Sequence, residues 1–478
     1  MVRLYALTGA QQAKLVRDRE VSPVEIVGQV FDRIHRLNPV LNAFCQLDEE
    51  HAMAAAKQAE QQIMNGEEVG PLHGVPFHVK DLVLTKGIRT AFGSKAFENY
   101  IPDEDDISVE RLKNAGGIVV GKTNVPEFGY RGINKVFGNI RNPWNTELTP
   151  GGSSGGSAVA VVTGMGSLTV GSDGGGSIRN PASLTGVYGF KPSFGRVPLY
   201  PGCRDPKFPG GSSWETLEVI GPLTRTVEDS ALMLSIMSGP SHMDRHSLPG
   251  TLDYMKIIQN KDIKDLRIAW SVDAGYATVD PEVRRITLEA VKVFEQLGCH
   301  VEETHPGISN PSQYFAGLIA RDTDFAGLRK MAQEYGDYMD PNFVNTVNRV
   351  WTDDQLTSAA MDRQAINITM RRFMENYDLL IVPALFAPAF KVGTYGPTEI
   401  DGRSVPDNHW SSFNCIANIT GFPAASLPAG WTNTGLPVGL QLIGGHLADE
   451  VVLRASSAFE EARPWLPQLN ALVERYDA

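Results

Sequence analysis

Positive charge is in short supply in this chain of 478 residues: 43 lysines and arginines face 55 aspartates and glutamates, for a formal balance of −12. Such a surface is not built to neutralise phosphates or anionic lipid, so nucleic acid and membrane are not expected as partners. Cysteine is scarce as well. Cys45, Cys203, Cys299 and Cys415 lie far apart, with no Cys-x-x-Cys pair and no histidine at zinc-finger spacing, and no metal site is expected. They read as thiols in a reducing compartment. The first residues reach glutamines and charges without the apolar run of a signal peptide, which points to a cytoplasmic location. One stretch, 148–172, lacks charge altogether, yet its glycines and serines make a poor membrane span. It reads as backbone packed closely in the middle of the fold.

What is present describes a folded chain: 42% hydrophobic and 21% charged residues suffice for a large core. Ser22, Pro23 and Glu25 form a helix start with a capping box, after which Val27, Val30, Phe31 and Ile34 fall on one face. A second helix is expected from Glu49 to Met64, ending near Asn65-Gly66. From about Gly70, short apolar runs alternate with helical segments, the look of an α/β sheet. Expected strands are Val75–Val79, Ile118–Gly121, Leu168–Ser172, Leu266–Trp270, Leu379–Val382 and Gly439–Ile443. Helices are expected over Ser108–Ala115, over Ser230–Met237 after Thr226, and from Asp280-Pro281 to Leu297. Length alone allows two to four domains, but no repeat or low-complexity linker divides the chain. A single unit over 1–478 is expected, with a helical portion over 1–69, a core over 70–230, and a remainder over 231–478 that includes a variable region at about 299–377.

Two motif matches are weak by context. Gly116-Gly-Ile-Val-Val-Gly121-Lys122-Thr123 fits the phosphate-loop pattern, but a helix comes before it and the strand lies inside it, the reverse of what a phosphate cradle needs. Gly-x-Ser-x-Gly occurs twice in 151–156, on Ser153 and on Ser154. A nucleophile elbow follows a strand directly, whereas 142–150 holds two prolines and reads as a loop.

A second serine-bearing glycine run follows, Gly171-Ser-Asp-Gly-Gly-Gly-Ser177-Ile-Arg179-Asn-Pro-Ala182, and upstream stands Gly74-Val-Pro-Phe-His-Val-Lys80-Asp81. In these three segments the chain resembles the amidase signature family. Further likeness lies in Gly121–Phe128, Gly186–Gly195, Gly221–Asp229 and Gly435–Gly444, within a span of about 7–461 that is weakest between 299 and 377. Gly174 departs from the family, which more often has a side chain such as threonine there. The resemblance implies an α/β fold with a large mixed central sheet covered by helices on both faces, and no cofactor.

It also implies a chemistry. Amide hydrolysis needs a nucleophile, an acceptor for its proton and a cradle for the developing oxyanion. Ser177 would attack, Ser153 would pass the proton, and Lys80 would accept it as a neutral amine. Alone, such a lysine would be read as a solvated surface residue. The bond entering Ser153 would be a cis peptide, and Ser154 would support Lys80 through a hydrogen bond. Backbone N–H groups of Gly174, Gly175, Gly176 and Ser177 are the expected oxyanion donors, and Asp173 and Arg179 would brace the loop as an ion pair. His73 and His78 lie near Lys80 in sequence but lack the context of a base. Phe128, Gly129 and Tyr130 are candidate substrate contacts, and Phe137, Tyr314, Phe315, Trp351, Trp410 and Phe413 could equally be pocket or core. The expected activity is hydrolysis of a small-molecule amide, extending to carbamates or esters. The alternative is the glutamine-hydrolysing component of a tRNA-dependent amidotransferase. A homodimeric state is left open.

Overall fold

Helices begin where the caps predict. Ser22 Oγ accepts the Val24 N–H while Glu25 returns to the Ser22 N–H, and the helix Pro23–Leu41 follows. Its Val27, Val30, Phe31 and Ile34 are buried. The next helix, Glu49–Asn65, closes on Gly66 in the left-handed region. Together these two helices cover Ile118, Val120 and Val159. The computed structural model describes residues 3–130, 133–202 and 216–477, and Cys203 lies outside them.

Among the described residues, eleven strands drawn from both halves of the chain share one mixed sheet. In chain order the first six are β1 (Phe44–Leu47), β2 (Pro76–Lys80), β3 (Ile118–Thr123), β4 (Leu168–Asp173), β5 (Tyr188–Lys191) and β6 (Val219–Thr224). Then come β7 (Arg267–Trp270), β8 (His300–Glu303), β9 (Leu379–Pro383), a separate hairpin of β10 (Glu399–Ile400) with β11 (Arg403–Ser404), β12 (Ala424–Trp431) and β13 (Pro437–Gly444). The sheet runs β1-β3-β2-β4-β6-β5-β12-β13-β9-β7-β8. Parallel pairs β3/β2/β4 and β9/β7/β8 flank an antiparallel centre. Helices Pro281–Gln296 and Asp449–Ala462 pack on β12 and β13.

The uncharged stretch 148–172 ends in the centre of the molecule: every residue of the helix Gly155–Val162 and of β4 is buried. No helix among the described residues is long and apolar enough to cross a membrane. The phosphate-loop match dissolves into β3, where Lys122 is buried and donates to Thr85 Oγ1 at 2.9 Å, Thr90 Oγ1 at 3.0 Å and the Val83 carbonyl. Burial brings its pKa down to about 8, with the Asp81 carboxylate opposing. The region 299–377 holds β8 and then four α-helices, Ser312–Arg321, Phe325–Tyr335, Pro341–Asn348 and Asp353–Phe373.

Candidate active site

β2 and β4 run side by side in the same direction, so Lys80 at the end of β2 and Ser172 and Asp173 at the end of β4 meet at one edge of the sheet. Carboxyl ends of adjacent parallel strands are a common place for a ligand site. Lys80 is fully buried. Its Nζ donates to Ser153 Oγ at 2.7 Å, to Ser172 Oγ at 2.9 Å and to the Ser172 carbonyl at 3.1 Å. The peptide bond between Gly152 and Ser153 is cis. Ser154 Oγ donates to the Ser172 carbonyl at 3.2 Å, an acceptor it shares with Lys80 Nζ. The Ser154 backbone N–H donates to the Ser177 carbonyl at 3.1 Å, which ties the two glycine-serine segments together. Ser172 is the residue the sequence reading passed over, although it lies inside the quoted motif.

After β4 the chain turns around the carboxylate of Asp173. Oδ1 accepts from the Gly176 N–H at 2.6 Å and from Arg179 Nη2 at 2.9 Å, while Oδ2 accepts from the Ile178 N–H at 3.1 Å and Arg179 Nε at 3.0 Å. Both charged side chains are fully buried. Burial works to raise the Asp173 pKa, but Arg179, Lys191 and these N–H donors outweigh it and hold the carboxyl well below its usual range. Gly176 sits at a φ of +118°, where a side chain would also strike Asn180 and Asn414. Its N–H is turned onto Asp173, which departs from the expected set of oxyanion donors. Among the described residues, the N–H groups of Gly174, Gly175 and Ser177 have no protein acceptor.

Three polar residues from the far end of the chain complete this turn. Arg179 Nη1 reaches the Asn414 carbonyl at 2.8 Å and Gln441 Oε1 at 2.6 Å. Asn418 accepts from Arg179 Nη2 at 2.7 Å and donates to the Asp173 carbonyl at 2.6 Å and the Leu217 carbonyl at 3.2 Å. Their sequence separation from the loop hid them from motif reading.

The turn opens on a cavity of about 330 Å³. Ser153, Ser177, Gly175 and Asn180 line one side, and Tyr130, Phe315, Ile319, Phe390 and Trp410 form much of the rest. Among the described lining residues none carries a charge. The Ser177 hydroxyl has no hydrogen-bond partner among the described residues, Ser153 Oγ included. Gly129 and Tyr130 line the cavity, but Phe128 does not: it is buried behind the wall, 5.5 Å from the Phe343 ring and 6.0 Å from the Phe97 ring. Phe315 lies so close to the loop that a Cβ on Gly175 would stand 2.4 Å from its Cζ. Phe413 is core, Tyr314 packs against the core, and Phe137 and Trp351 lie under the guanidinium groups of Arg89 and Arg349.

Neither nearby histidine lines the cavity. His73 Nε2 bonds the Ala59 carbonyl at 2.9 Å and His78 Nε2 the Met165 carbonyl at 3.0 Å. Burial takes the His78 pKa down to about 3, so the ring is neutral and structural.

Behind the wall, Glu127 accepts from Ser94 Oγ at 2.7 Å and from the Asp340 N–H at 3.4 Å. Burial pushes its pKa up to about 7 against those bonds, with the Asp340 carboxylate adding to the rise. A carboxyl whose pKa is raised by folding contributes stability that is fully present below its ordinary value of 4.5 and is lost as pH rises through about 7. Glu127→Gln should therefore narrow the drop in unfolding free energy between about pH 4.5 and pH 8 by about 1–3 kcal/mol, read by urea denaturation at both values. An unchanged drop would remove Glu127 as its source.

Comparison with known proteins agrees with this architecture. The family model described as Amidase matches residues 25–453. An acylamidase of Rhodococcus erythropolis is 36% identical, with 97% of this chain and 96% of that protein aligned. A glutamyl-tRNA(Gln) amidotransferase component from Carboxydothermus hydrogenoformans is 34% identical over 96% of this chain and 98% of its own. The crystal structure of a bacterial aryl acylamidase of the amidase signature enzymes superposes with a TM-score of 0.89 at 31% identity, covering 98% of both chains. By the match of its own residues and by the fold that carries them, the chain belongs to the amidase signature family and is a hydrolase of carbon–nitrogen bonds.

Proposed function

We propose that the chain works on its own as an amidase for uncharged amides, through a relay of Ser177, Ser153 and Lys80. The observation that carries this reading is the buried hydrogen bond of 2.7 Å from Lys80 Nζ to Ser153 Oγ, with Ser153 and Ser177 on one cavity wall. The relay runs from the neutral amine, in which the same bond is reversed and the Ser153 O–H donates to Lys80 Nζ. As Ser177 Oγ attacks the carbonyl carbon, its proton passes to Ser153 Oγ and the Ser153 proton to Lys80 Nζ. A rotation of the Ser177 hydroxyl toward Ser153 closes the relay. The carbonyl oxygen, now negative, is received by N–H groups of Gly174, Gly175 and Ser177. The proton then returns along the same path to the amine nitrogen, the C–N bond breaks, and water resolves the acyl-enzyme by the same steps. A carbamate or an activated ester offers the same carbonyl to attack.

The likeness to an amidotransferase component supports a second reading, hydrolysis of glutamine inside a complex. Free glutamine carries an ammonium and a carboxylate, and burying them calls for charged partners. The lining contributed by the described residues carries no charge, which favours the first reading. The purified chain alone should release p-nitroaniline from a p-nitroanilide and release ammonia from glutamine at less than about 1% of that rate, a selectivity of more than two decades expected from unpaired buried charge. Glutamine as the faster substrate would reverse the assignment.

A further inference from the structure

One side chain in the cavity wall is held in a single orientation by the backbone. Asn414 Nδ2 donates to the Ala384 carbonyl at 2.9 Å, and a carbonyl can only accept. The same nitrogen donates to Asn180 Oδ1 at 2.6 Å. The oxygen of Asn180 is therefore the atom turned to Asn414, and its NH2 group is turned away. Among the described residues that NH2 group donates to no protein atom, while the side chain lines the cavity beside Ser177 and Gly175. A polar group in a pocket wall, fixed by its neighbours and with its donor unused by the described residues, is suited to recognition.

Position decides which part of the substrate it meets. Asn180 lies in the first turn of the helix Arg179–Thr185, its own N–H donates to the Gly176 carbonyl at 2.7 Å, and Ser177 lies three residues before it. The acyl portion is the part of the substrate that stays on that serine through both half-reactions. Resting on the reading of Ser177 as nucleophile, we propose that Asn180 is a specificity-determining residue, whose NH2 group selects acyl portions with a hydrogen-bond acceptor near the scissile carbonyl.

The test uses a pair of p-nitroanilides that differ by one CH2 for O exchange, those of butyric and methoxyacetic acid. In the wild-type chain the ratio of kcat/KM values, ether over alkyl, sets the reference. Asn180→Leu should lower that ratio about tenfold, the scale of one lost hydrogen bond. Asn180→Asp, which keeps an oxygen for Asn414 while replacing the donor with an acceptor, should lower it at least as far. A ratio within about twofold of wild type in both variants overturns the inference, as does a change that follows a methoxy group on the aniline instead. Hydrolysis that survives Ser177→Ala, or a wild-type chain that turns over neither anilide, overturns the nucleophile reading and this one with it. Hydrolysis that depends on Ser177 with an unmoved ratio overturns the role of Asn180 alone.

Discussion

Ser177→Ala is expected to lower amide hydrolysis by about four to six orders of magnitude, since on the proposed relay the acyl-enzyme forms on this serine alone. The fold should not notice. Ser177 is half-buried, lines the cavity and makes no side-chain hydrogen bond to a described residue, so the melting temperature should move by no more than about 2 °C, the range of a substitution away from packed or bonded groups. A phosphonyl fluoride should add to Ser177 in the wild-type chain and to no serine in the variant, as mapped by mass spectrometry. Substantial activity in the variant, or an adduct in the 151–156 segment, would move the nucleophile elsewhere.

Lys80 gives the second large effect, and it separates the relay from any histidine scheme. Lys80→Ala should lose about two to four orders of magnitude on an anilide, the usual worth of general acid–base help. On an activated ester, whose leaving group needs no proton, the loss should stay below about tenfold. Lys80→Met fills the same volume with no amine and should behave alike, which sets aside cavity formation as the cause. Alanine at His73 or at His78 should leave the pH profile of kcat/KM in place, because both rings are bound to backbone carbonyls away from the cavity. Near-normal anilide turnover by both Lys80 variants would end the relay.

Much of this centre is visible in the amino-acid order because its parts are local. Lys80, Ser153, Asp173, Ser177 and Arg179 sit in short glycine-rich segments whose spacing is a property of the string. Strands β2, β3, β4, β7, β9 and β13 also read out to within one or two residues, since each carries a compact apolar run. β12 escaped: Ala-Ala-Ser-Leu-Pro-Ala-Gly-Trp is a poor strand by propensity, and only its pairing with β13 and β5 makes it one. β6, with Gly-Pro in its middle, and the four-residue β5 were hidden for the same reason. The helices of 299–377 did leave marks that a closer reading would have caught, among them Asp340 before Pro341 and the capping box of Thr352 with Gln355. Nothing local marks Asn414, Asn418 or Gln441 as parts of the site, because their meaning lies in contacts across some 240–260 positions.

That distance has a bearing on how the enzyme is born. A ribosome that has delivered the first 230 residues has already released Lys80, Ser153 and Ser177, the three members of the proposed relay. Arg179 at that moment still lacks the acceptors that Asn414, Asn418 and Gln441 will supply, and β4, β5 and β6 still wait for β12 and β13 to extend their sheet. On the proposed relay, the nascent chain would thus carry Ser177 in an unfinished loop, and hydrolytic competence would follow only once β13 has emerged and paired.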